Sequence, residues 1–205
     1  MAWFRATFGD PRPVVPPASL RLEDDLVAQL CRLMEVDPGT LTVELYGDSA
    51  EADLARAAGL TRRATGAAGH YRREGGRPVI AVDRTLRPTQ LIATIAHELG
   101  HVRLDGVTDR EDHEPLTDLL TVHFGLGVFG ANAAFEFTQD NHRRSVRRLG
   151  YLTEPMFGYG LACHAWRRGE PRPAWARHLD ANPRAYLRRG LRYLARRGVG
   201  QFDTP

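Results

Sequence analysis

The chain has 205 residues and a mass of 22.9 kDa, enough for one domain with a real core. At 42% hydrophobic and 26% charged residues it reads as globular rather than disordered, and no run of ~18 apolar residues offers a membrane span. The net charge of +3 hides a split: all 28 basic residues are Arg, with residues 1–142 at net −7 and residues 143–205 at net +10. Only two cysteines occur, Cys31 and Cys163, which is no disulfide framework and suits a reducing compartment. The first residues lack the charged-then-apolar layout of a leader, so the expected location is the cytoplasm.

Taken in chain order, residues 1–18 are Pro-rich and read as a flexible arm. Leu22, Leu26, Leu30 and Leu33 recur at helical spacing and predict a helix over Leu20–Met34. Leu41 to Leu45 alternates apolar and polar, the period of a half-buried strand. Ala50 to Ala58 reads as a short helix stopped at Gly59. Gly69 to Arg73 and Pro78 to Val82 flank Glu74-Gly75-Gly76-Arg77, a hairpin signal. A helix then opens near Pro88-Thr89, with Thr89 as N-cap, and runs to about Leu104. Another begins near Asp112 with Pro115 in its first turn, and two more start at Thr153 and Asn182. The order of helix, small sheet and further helices predicts an α+β fold. The predicted division is a 1–18 arm, a 19–135 core and a basic helical region over 136–205 packed on it.

The string Ala96-His97-Glu98-Leu99-Gly100-His101 carries the chemistry. On a helix, positions 97 and 101 lie one turn apart and face the same way, so two imidazoles can reach one metal ion. Glu98 sits beside them, placed to accept a proton from a water activated there. The opposite face, Leu91, Ile95, Leu99 and Val102, reads as a buried stripe. A catalytic zinc needs a third protein ligand and an open position. Continuation as HExxHxxGxxH is excluded by Leu104 and Val107. The candidates downstream are Asp105, Asp109, Asp112, His113, Glu114 and Asp118. Glu114 is preferred, with His113 the main rival. Glu114 and Asp118 are i and i+4 on one helix side, so a carboxylate at 114 can bind metal while Asp118 accepts the free ring N–H of a ligand histidine.

His97-Glu98-x-x-His101 followed by Glu114-x-x-x-Asp118 resembles the gluzincin metallopeptidases. Gly69-His70-Tyr71, the hairpin, Pro78 to Asp83 and the helix Thr94 to His101 are similar in layout to the minimal bacterial gluzincins of the ImmA/IrrE kind. The resemblance covers about residues 40–125. It implies a zincin-like fold, Zn²⁺ held by His97, His101 and Glu114, Asp118 orienting a histidine, and Glu98 as general base in peptide hydrolysis. It also implies that an extended peptide substrate adds to an edge strand before the active-site helix. Val79 to Val82, and so Val79 and Ala81, are the expected substrate-binding positions.

The oxyanion formed in such a reaction needs a further donor, and Tyr71, Tyr151, Tyr159, His142, His164 and several Arg are candidates. His164, among Leu161, Cys163 and Trp166, reads as a core histidine. His123 lies on the face opposite Glu114 and is not expected as a ligand. The Arg clusters at 143–148, 188–189 and 196–197 read as solvated faces, with an acidic partner as the alternative and nucleic acid less expected. The expected function is a zinc-dependent metallopeptidase acting on a peptide or protein substrate. The alternative is a non-catalytic, metal-stabilised regulatory module that binds protein or nucleic acid.

Overall fold

A computed structural model describes residues 2–22, 25–46, 68–108, 114–139 and 151–197. The helix expected over Ala50–Ala58, the candidates Asp109, Asp112, His113 and His142, and the Arg143–Arg148 cluster lie outside the described residues.

Three strands, β1 (Thr42–Tyr46), β2 (Gly69–Glu74) and β3 (Arg77–Asp83), form a mixed sheet of order β1-β3-β2. β1 runs parallel to β3 and β2 antiparallel to it. Gly75 and Gly76 join β2 to β3 at φ 56° and 83°. Both central positions of this tight turn need positive φ, which glycine adopts without a Cβ penalty. α3 (Pro88–Leu104) packs across β2 and β3. Its first helical residue is Pro88, with Arg87 rather than Thr89 at the cap position. Proline's fixed φ and missing N–H suit that first position, so the helix starts one residue before the expected cap. The burial of α3 is wider than the predicted stripe: Ile92, Ile95, Ala96, Glu98, Leu99, Gly100 and Leu104 are all buried, because the sheet, α2 (Leu26–Met34) and two later helices surround it.

Those later helices are α4 (Glu114–His123) and α5 (Gly127–Gln139), with Gly125 at φ 83° between them. α6 (Glu154–Arg167) and α7 (Ala181–Arg197) pair with each other and close a second apolar cluster around Phe157, Leu161, Leu187 and Leu194. The result is an α+β architecture, a small mixed sheet against one central helix followed by a helical C-terminal part, consistent with a zincin-like fold. The expected boundary at 135/136 falls inside α5, so it does not divide the chain there. Among the described residues, no helix is long and apolar enough to cross a membrane.

Two expectations are corrected by these contacts. Residues 2–18 do not form a flexible arm. α1 (Ala2–Phe8) buries Phe4 and Phe8, one helical turn apart, and their rings lie 5.6 Å from that of His123 and 6.0 Å from that of Phe124 respectively. The extended stretch that follows is pinned by backbone bonds from Arg12 N–H to His123 O and from Val15 N–H to Gly125 O, both 2.9 Å. Apolar area of that size is better buried than solvated. Second, Val79–Val82 is not an edge strand. β3 is the central strand, bonded on both sides, and Val79 and Ala81 are 2% exposed. A substrate cannot pair with backbone groups that β1 and β2 already occupy.

Candidate metal centre

α3 and α4 meet at the two histidines. Gly100, between them in the motif, lets this happen: a Cβ there would lie 2.6 Å from Thr117 Cγ2 on α4, so only glycine permits this close crossing. The approach brings Glu114 and Asp118, one turn apart on α4, against the imidazoles.

Nε2 of His97 lies 2.9 Å from Oε2 of Glu114 and 3.2 Å from Nε2 of His101. The third side of the triangle, His101 Nε2 to Glu114 Oε2, is 3.2 Å. Donors arranged tetrahedrally about zinc at ~2.0–2.1 Å stand ~3.3–3.4 Å apart. The triangle therefore fits a four-coordinate divalent cation with three protein donors and one position left over, and His97, His101 and Glu114 can hold such an ion.

The ring orientation of His97 supports the same fit. Its Nδ1 donates to Oδ1 of Asp118 at 2.8 Å, which turns Nε2 toward Glu114 and His101. A cation there takes the place of a second ring proton. Burial alone would pull the His97 pKa down, but its bonds to Asp118 and Glu114 outweigh this and lift it to about 10. Burial pushes Glu114 up, yet its bonds to His101 and His97 prevail and hold its carboxyl well below the usual range. The Glu114 and Asp118 carboxylates thus favour positive charge on His97, and a cation at the triangle takes over that role from the ring proton.

Asp118 uses both oxygens. Oδ2 accepts from the backbone N–H of Tyr151 at 2.7 Å and of Leu152 at 2.9 Å. This places Tyr151 at the site, its ring stacked on that of His97 at 6.1 Å between centroids. Tyr71 from β2 stacks on His101 at 5.8 Å, and its hydroxyl donates to Asp105 Oδ2 at 2.6 Å. Arg73 donates to the same oxygen at 2.7 Å. Asp105, a candidate ligand on sequence, is thus the anchor of β2 to the end of α3 and stands outside the donor triangle.

Glu98 is buried, 4% exposed, and among the described residues its Oε2 has no hydrogen-bond partner. Burial drives its pKa up; the nearby His97 and His101 pull it back, Glu114 adds to the rise, and it settles at about 7. A carboxylate that exchanges its proton near neutrality is suited to acid–base work.

The remaining candidates are elsewhere. Tyr159 faces Tyr193 across the α6–α7 pair, and His164 is buried against Trp175. His123 is buried against Phe4 and Phe8. Thr94 and Gly69, which flank Glu98, were not among the sequence candidates. Both lie in stretches that carry the family resemblance, but nothing in their spacing marks a role beside Glu98 until the strand crosses the helix.

A family model described as the IrrE N-terminal-like domain, Peptidase_M78, matches residues 60–121. That segment is less than a third of the chain but contains β2, β3, α3 and most of α4, and so the three donors with Glu98 and Asp118. Neither the curated proteins nor the solved structures yield a match. Over residues 60–121 the chain is similar to an ImmA/IrrE-type family of zincin-like metallopeptidase fold.

Proposed function

We propose that this protein is a zinc metallopeptidase in which His97, His101 and Glu114 hold the ion, Glu98 is the general base and Asp118 orients His97. The carrying observation is the donor triangle with, next to it in the chain, a buried carboxylate whose Oε2 has no hydrogen-bond partner among the described residues. When bound, a Lewis-acidic zinc polarises a carbonyl and acidifies a water. Glu98 takes up the proton released and delivers it to the leaving amine, a cycle that its near-neutral proton affinity supports. Positive charge at the centre lowers that affinity, so the acid limb of the activity profile falls below pH 7. Tyr151, 55% exposed and stacked on His97, is the proposed donor to the oxyanion. Tyr71 is committed to Asp105.

The substrate binds along β2 rather than β3. Asp83 N–H bonds to Ala68 O, which fixes 68/83 as a hydrogen-bonded pair in the antiparallel register. Alternation then turns the backbone N–H and C=O of Gly69, Tyr71 and Arg73 toward the edge of β2 that no described strand occupies. An extended peptide can pair there, alongside Glu98.

Glu98→Gln is expected to keep full zinc content and lose peptide cleavage by several orders of magnitude. Glu114→Ala is expected to lose the zinc. A Glu98→Gln variant that cleaves like the parent, or full occupancy in Glu114→Ala, refutes the assignment. One observation favours a second reading, a regulatory module that binds an acidic partner. α7 exposes Arg188, Arg189, Arg192, Arg196 and Arg197 and has no acidic residue. Salt-sensitive binding of an acidic protein that survives Glu98→Gln, without proteolysis of any substrate, distinguishes it.

A further inference from the structure

We propose that Gly69 is a positioning residue for Glu98: its missing side chain is what lets the carboxylate stand where a base is needed. The activity half of this proposal rests on the metallopeptidase reading; the structural half does not.

Gly69 opens β2 where the strand crosses α3. Its φ is not in the left-handed region, so the strand conformation itself does not call for glycine. A Cβ built on it would lie 2.6 Å from Thr94 Cγ2, 2.7 Å from Glu98 Oε1 and 3.1 Å from Glu98 Cγ. Any L side chain therefore contends directly with the glutamate. The glutamate has little else to define it. Among the described residues its Oε2 is buried without a partner, and no bond from a neighbouring side chain fixes its rotamer. The backbone of β2 closes one wall of its slot and Thr94, one turn earlier on α3, closes another. The base is placed by shape, and Gly69 is the shape.

The same residue serves the substrate side. Its N–H and C=O face the edge of β2 that no described strand occupies, beside Glu98. A methyl group would push the carboxylate away from the peptide bond that this edge presents to it.

The test is Gly69→Ala. Metal content stays at the wild-type level, because the three donors are on α3 and α4. The turnover number falls about 100-fold with KM within a few-fold of wild type, the size expected for a reacting group misplaced by about 1 Å. A crystal structure of the variant shows the Glu98 carboxylate displaced. Adding Thr94→Ser removes Cγ2 and leaves the clash with Glu98, so turnover stays low. A thermal-melt cycle serves if Gly69→Ala folds poorly: Gly69→Ala/Glu98→Ala melts at a higher temperature than Gly69→Ala, because the truncated residue frees the slot.

Wild-type turnover in Gly69→Ala, an unmoved Glu98, rescue by Thr94→Ser, or no recovery in the double variant each overturns the proposal. If the wild type cleaves no peptide, the metallopeptidase reading fails, while the position of Glu98 and the melting cycle still decide this one.

Discussion

Tyr151 and Tyr71 illustrate how much depends on single contacts. Each stacks on one of the two histidines; Tyr151 is 55% exposed, while Tyr71 is half-buried and spends its hydroxyl on Asp105. Tyr151→Phe keeps the stacked ring and removes the donor. It should lower kcat by roughly 10²-fold, as loss of one oxyanion donor does, without changing zinc content. Steady-state kinetics beside metal analysis checks this; unaltered kcat moves the donor role elsewhere. The pairing of His97 with His101 was legible at this scale, because 97 and 101 share a helix face whatever else the chain does. Tyr151 was one name among several. Its link to the site runs through Asp118, 33 residues earlier in the chain, and no local period reports such a contact.

At the scale of elements, the crossing of α3 and α4 is set by Gly100 against Thr117. Gly100→Ala gains up to ~1 kcal/mol of helix propensity. It also forces a methyl into a buried crossing, where overpacking costs ~1–3 kcal/mol, so strain prevails. We expect lower stability and weaker zinc binding, as Glu114 and Asp118 are pushed back from the histidines. Combining it with Thr117→Ser removes the opposing methyl and should restore both, measured by chemical denaturation and metal competition. A double variant no better than the single one rejects this account. The hairpin was readable from its Gly-Gly turn. The sheet order was not, since β1 joins β3 in parallel across a long connection. A trace of it is present in Val79-Ile80-Ala81-Val82, an unbroken apolar run that suits a strand covered on both faces better than an edge. The amino-terminal segment misled through its prolines, while Phe4 and Phe8, four residues apart, were the informative pair.

For the whole molecule, acid stability follows from two histidines remote from the donors. His123 and His164 are buried, and burial, aided by Arg12 near the first and Arg168 near the second, depresses both pKa values to about 4. They stay neutral in the folded protein but protonate once unfolded. Between the ordinary histidine value near 6.5 and about 4, the unfolded chain binds more protons, so stability declines as pH falls through that window and levels off below it. Each group contributes on the order of 2 kcal/mol. His123→Phe, set among Phe4, Phe8 and Phe124, should lose less stability than wild type between pH 7 and 4.5, by about that amount. Urea unfolding at both pH values measures it, and parallel losses in the two proteins contradict it.

The two-sided grip of Asp118 has a further reach. One of its oxygens steadies the ring that would bind the ion, and the other fastens the chain just ahead of α6, the helix on which α7 is laid. If His97 holds a cation as proposed, its occupancy and the seating of the carboxy-terminal pair share this one carboxylate, and any linkage between them acts equally in both directions. On the proposed reading, a ligand of the arginine face that shifts that pair is expected to change the affinity of the donor triangle for a cation, and removal of the cation is expected to loosen the pair.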